Sequence, residues 1–159
     1  MQKSASIAYL LALVIGCIAG MRTFTAPALV SWVARLGGLN LSDTWLAFLG
    51  GTWTPWILTF LAVGELVVDQ LPSMPSRTAP PGFGARIVSG AISGAAVGTA
   101  GGVMVGGMIA GIVGAVIGTL GGQAFRAQLA AASRRDRPAA FIEDAIAIAG
   151  ALAVGLALR

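Results

Sequence analysis

Histidine is absent from this 159-residue chain, cysteine and tyrosine occur once each, and ten basic and six acidic residues carry all its charge. Each scarcity excludes something. Without histidine, and with Cys17 alone, the zinc and haem ligand sets are missing and the commonest general base is gone. A single cysteine forms no internal disulfide. Charged residues make up 10% of the chain, where a soluble domain carries about a quarter. So few charges cannot coat a globule of this size, and its surface is expected to face lipid. The net charge of +4 is small and its arginines fall in short connections. The pI of about 10.7 is therefore no sign of a nucleic-acid partner.

Apolar residues and glycine are abundant: 57% of the chain is hydrophobic, 23 residues are glycine, and mean hydropathy is +0.87. A bilayer crossing needs about 20 apolar residues. Five segments approach that length, at 6–21, 53–71, 85–104, 106–129 and 139–158. The fold expected is all-α, a polytopic bundle of about five transmembrane helices in a single domain, 1–159. Between the first two segments, Pro27 breaks a continuous helix. Thr25 is placed to cap a new one, so Ala28–Leu36 reads as a half-helix, interfacial or re-entrant, rather than a full span. Trp32, Trp45, Trp53 and Trp56 cluster around it like an aromatic belt. The run from Ile7 to Cys17 has the outline of a secretory or lipoprotein signal, but more membrane-like sequence follows, so an ordinary helix is expected.

Loop charge sets orientation. With the amino terminus inside, Lys3, Arg77, Arg86, Arg134, Arg135 and Arg137 lie on the cytoplasmic side and Arg35 and Arg159 outside. The Pro-rich stretch 71–82 reads as an extended cytoplasmic connection. The segment Gly101–Gly107 reads either as an outer turn or as a bend.

Glycine recurs every four residues at Gly90, Gly94, Gly98, Gly102 and Gly106, and the register continues through Ala110, Gly114, Gly118 and Gly122. Such stripes let helix backbones approach closely. They are expected to pack helices within the bundle, with an oligomer interface as the alternative and a homo-oligomer as the expected assembly. The string Val14–Gly20 also matches Val116–Gly122 without gaps. In a five-span topology these helices run oppositely. That suggests inverted repeats, 5–72 and 106–158, joined by the helix 85–104. Chance similarity of two Gly-rich strings is the alternative.

Six charged residues remain at membrane depth or its edge: Arg22, Glu65, Asp69, Arg126, Glu143 and Asp144. Glu65 and Asp69 share a helix face at i, i+4 spacing. Burying such charges is costly, so they must find partners or line a functional path. Arg126 is expected to pair with Glu143 or Asp144 as a structural bridge. Glu65, Asp69 and Arg22 are expected to line a hydrated cavity that binds an ion or small substrate. No serine sits in a nucleophile elbow, the Gly-rich run has no phosphate-loop ending, and Asp69 and Asp144 lack intramembrane-protease motifs. No catalytic residue, metal or cofactor is expected. The reading is a small transporter or channel-like protein, with a structural, membrane-organising protein as the alternative.

Gly20-Met21-Arg22-Thr23-Phe24-Thr25-Ala26-Pro27, the segment Gly64–Pro72 and Ile142-Glu143-Asp144-Ala145 together resemble a bacterial membrane family known only as a domain of unknown function. The resemblance covers nearly the whole chain, and Glu65-x-x-x-Asp69-x-x-Pro72 is its most specific element. It implies a small multi-pass inner-membrane protein and no particular activity.

Overall fold

Many large apolar residues face outward, and small residues share the interior with Ile15, Val30, Leu46 and Val97. The computed structural model describes residues 4–69, 79–133 and 136–158. Its interior holds Ala12, Ala19, Ala96, Ala115, Ser31, Ser93, Thr119, Arg22 and Glu143, all without measurable exposure. Phe60, Trp53, Leu156, Val67 and Leu10 stand outward, at least 60% exposed. Lipid gives helices no hydrophobic reason to associate, so close packing of small residues inside and large apolar residues outside is the arrangement a bilayer favours.

Among the described residues there are six α-helices and no strand: α1 (Ala5–Met21), α2 (Thr25–Arg35), α3 (Thr54–Val68), α4 (Pro80–Thr99), α5 (Met104–Ser133) and α6 (Asp136–Leu158). A single 3₁₀ turn spans Ala47–Gly50. Two helical segments, Met104–Leu129 and Phe141–Leu158, are long and apolar enough to cross a membrane by themselves. Helices α1 and α3 are apolar but shorter, at 17 and 15 residues.

Neighbouring residues fix the directions. Glu65 of α3 meets Thr23 while Thr59 meets Trp32 of α2, so α2 and α3 are antiparallel. Arg22 meets Asp144, and Ile18 lies beside Gly150, so α1 and α6 are antiparallel as well. Consecutive helices therefore alternate. The start of α1 and the end of α6 lie at one end of the bundle, and Arg22 lies at the other. This corrects two expectations. Helix α2 has the length of a half-helix, 11 residues, but it carries the chain back across the bundle rather than resting at one face. The start of α1 lies at the end away from Arg22, whereas α3 ends and α4 begins at the Arg22 end, so the two do not share a side. Lys3, Arg77, Arg134, Arg135, Arg159 and most of the Pro-rich connection lie outside the described residues. Arg86 is not in a loop at all. Helix α4 begins at Pro80, and Arg86 is buried in its second turn.

Glycine supplies the close contacts. A Cβ on Gly94 would stand 2.7 Å from Gly111 Cα, and one on Gly98 would stand 3.0 Å from Gly107 Cα. On the other side of α5, Gly106 meets Tyr9, and a Cβ on Gly114 would stand 2.8 Å from Cys17 N. Gly118 also faces the Cys17 backbone. The strings Val14–Gly20 and Val116–Gly122 thus lie side by side, with rising numbers meeting rising numbers. They run in the same direction, which removes the inverted arrangement: once α2 returns, α1 and α5 both point toward the Arg22 end. Gly102 belongs to no packed stripe. Its φ of 69° lies in the left-handed region, and Val103 N–H reaches back to Gly98 C=O at 2.9 Å. The segment is a turn, and glycine closes it without a Cβ clash. Gly122 is buried on α5.

Gly94→Val is expected to destabilise the fold by at least about 1–3 kcal/mol, the usual cost of overpacking. Gly121→Val, with nothing within 4 Å of the site, should be nearly neutral. Unfolding of the two variants in mixed micelles, followed by circular dichroism, measures the contrast.

Candidate functional site

Three helices and one loop meet at Arg22. The residue follows the last turn of α1 with extended backbone, φ −138° and ψ 112°. Its side chain, with no exposed surface, lies between α3 and α6. Nη1 donates to Asp69 Oδ2 and Nη2 donates to Asp144 Oδ1. The two aspartate side chains are 13% and 11% exposed. One guanidinium therefore binds two carboxylates from helices 75 positions apart in sequence numbering, Asp69 to Asp144. The fork geometry and permanent charge of arginine suit such sharing. Its Nε–H donates no hydrogen bond.

Glu65, one turn before Asp69, does something different. Oε1 accepts from Thr23 N–H at 2.7 Å and Oε2 from Phe24 N–H at 2.9 Å. These are the last amides before α2. The helix starts at a Phe24 N-cap with no side-chain cap of its own, and Pro27 removes one further orphan donor. Thr25 is not the cap expected from sequence. A carboxylate from another helix takes the place of a local cap and sits at the positive end of the α2 dipole. Ser89 of α4 completes the turn by donating to Thr23 C=O.

Sequence-selected residues thus gather in part. Arg22, Asp69, Asp144 and Glu65 are brought together, and Glu143, fully buried, is adjacent on α6. Asp144 is held by Arg22 rather than by Arg126, which lies half-buried on α5. The expected hydrated cavity lined by Arg22 is not found: with no exposed surface, Arg22 lines no open space. Sequence reasoning missed Arg86, 6% exposed and one turn before Ser89 on α4. Its signal was its spacing from Ser89 and Gly90 on one helix face. Among the described residues no group of three or more acidic, Cys or His side chains could hold a metal ion.

Helix α3 is the least embedded element. Its one buried residue is Pro55, and it rests mainly on α2 and the 3₁₀ turn. Trp32 of α2 packs edge-on against Trp56, with centroids 4.9 Å apart, and its Nε1 donates to Thr59 Oγ1 at 2.9 Å. Toward the Arg22 end the described attachments of α3 are polar, through Glu65 and Asp69. An apolar groove flanks it on each side. One, about 340 Å³, lies toward α4 and includes Phe24, Leu58, Val88 and Ser89. The other, about 460 Å³, lies toward α6.

No family model, curated protein or solved structure matches the chain.

Arg22→Leu should leave two carboxylates without their shared partner and cost about 3–5 kcal/mol. Glu65→Gln keeps the shape but loses the charge at a helix end and should cost about 1–2 kcal/mol. Denaturation of each variant in micelles, compared with the wild type, checks the order; equal losses would contradict the separate roles of these residues.

Proposed function

We propose that this chain is a small multi-pass protein of the bacterial inner membrane that conducts or transports an ion or small solute, with Arg22 as the lock on its path. The observation that carries this reading is the enclosure of Arg22 between Asp69 on the loosely packed α3 and Asp144 on α6. Two features support the membrane setting: the outward-facing large apolar residues and the two helical segments long and apolar enough to span. Charges at such depth are expensive and mark pathways in membrane proteins. As a staple alone, a buried ion pair gains little over well-packed apolar residues. Here the lock joins α3, a helix that few apolar contacts restrain, to α6. Movement of α3 away from α2 would part Asp69 from Arg22 and Glu65 from the α2 amides, opening the Arg22 end while the Trp32–Trp56 contact holds the other.

The second reading, a structural membrane protein, is favoured by the backbone contacts among α1, α4 and α5, which bury the glycine stripes inside one chain. Reconstitution in liposomes separates the two. Flux of protons, potassium and small organic solutes should exceed that of empty vesicles, and Asp69→Asn, which weakens the lock, should raise it. Flux at the empty-vesicle level for both wild type and Asp69→Asn would instead favour the structural role.

The alternating helices also support a proposed orientation. The connections at the Arg22 end carry Arg77, Arg134 and Arg135 in sequence, so this end is assigned to the cytoplasm and the start of α1 to the far side. On a Cys17→Ser background, Ser4→Cys and Asn40→Cys should be labelled from the same face by a membrane-impermeant maleimide, and Gln128→Cys from the opposite one. Labelling of positions 4 and 40 from opposite faces would refute the alternation.

A further inference from the structure

The groove between α3 and α6 is walled by Val63, Leu66 and Val67 on one side and by Phe141, Asp144 and Ile148 on the other. Asp144 is its one charged residue. Although Asp144 is 8% exposed, Arg22 engages only its Oδ1, and no described hydrogen bond reaches Oδ2. A volume of about 460 Å³ falls within the usual range for small-molecule sites, about 300–1,000 Å³.

We propose that this groove binds a lipophilic cation, an alkyl- or aryl-substituted ammonium or phosphonium, with Asp144 Oδ2 as its counter-charge. The inference rests on the transport reading and names the substrate class of that path. Each part of the groove selects against other occupants. A hard, hydrated cation such as sodium or calcium demands several oxygen ligands, and among the lining side chains only Asp144 offers any. An anion would meet a carboxylate. A lipid acyl chain would fill the apolar walls but leave a carboxylate oxygen facing hydrocarbon, which is costly. A bulky organic cation spreads its charge and sheds water readily, and its substituents match the valine, leucine and isoleucine walls. Phe141 brings an aromatic ring to the same wall, and ring faces attract such cations. Because Val63, Val67 and Phe141 are each more than half exposed, the groove opens sideways, so a ligand dissolved in the bilayer reaches it without passing the enclosed Arg22.

Tetraphenylphosphonium is the probe, with equilibrium dialysis of the full chain in nanodiscs as the measurement. Binding should be saturable. Asp144→Asn should weaken it about tenfold by removing the counter-charge, and Val67→Trp should abolish it by filling the groove without touching Arg22. Tetraphenylborate, the same shape with opposite charge, should neither bind in the groove nor compete. Absence of saturable binding, competition by tetraphenylborate, or unchanged affinity in Val67→Trp would overturn the proposal. Unchanged affinity in folded Asp144→Asn would do so as well. Should Asp144→Asn fail to fold, Val67→Trp and tetraphenylborate decide the matter. The two readings fail separately. Flux of small ions that responds to Asp69→Asn, without phosphonium binding, would overturn this site and keep transport. Saturable, Asp144-dependent binding with no flux of any probe would keep the site and overturn transport.

Discussion

A guanidinium with no exposed surface, shared by two aspartates, is the constraint around which this chain is arranged. Such a group is stable in an apolar bundle only when its partners arrive together, and they come from α3 and α6. The shared charge therefore fixes where α1 must end, how deep α3 must reach and which turn of α6 must face inward. It also explains the break after Met21. Extended backbone at Arg22 turns the side chain out of the α1 spiral, and the amides exposed by that turn are taken up by Glu65. Two acids one helical turn apart on α3 thus serve one short corner of the chain, Asp69 through its side-chain partner and Glu65 through the backbone.

The rest of the interior is governed by distance rather than charge. Helix α5 carries two rows of small residues set one position apart, about 100° around the helix. Gly106, Gly114 and Gly118 meet α1, Gly107 meets α4, and Gly111 and Ala115 meet both. Backbone contact on both sides leaves α1, α4 and α5 as a rigid slab. Helix α3 stands outside it, attached through tryptophan packing at one end and through carboxylates at the other. Close packing and loose packing are thus separated in space.

Much of this was legible in the sequence. The all-helical class, the approximate positions of the helices and the residues of the charged cluster follow from hydropathy, Pro27 and the cost of burying charge. Pairing was not legible. Asp144 binds Arg22 because α2 returns across the bundle, and an 11-residue apolar stretch reads equally well as an interfacial half-helix. The role of Glu65 was hidden because its partners are main-chain amides, which no side-chain pattern reveals. The glycine register misled for a geometric reason. Counting every fourth residue from Gly90 to Gly122 runs through the turn at Gly102, so it joins positions on separate helices into one line and passes over Gly107 and Gly111. The matched strings in α1 and α5 record two helices that share a packing surface, not two halves facing opposite ways.

The parallel contact of α1 with α5 bears on how the protein is made. Helix α1, made before the helices it packs against, lies at the centre of the finished bundle, touching α2, α4, α5 and α6. Its glycine face finds its mate only after α5 emerges, and Arg22 receives Asp144 later still. Until α5 and α6 are made, the central helix has its narrow face open and its arginine only half answered. A nascent chain cut short before α6 would hold every element of the slab and still lack the charge that closes it. Only with α6 in place does Arg22 meet its second carboxylate.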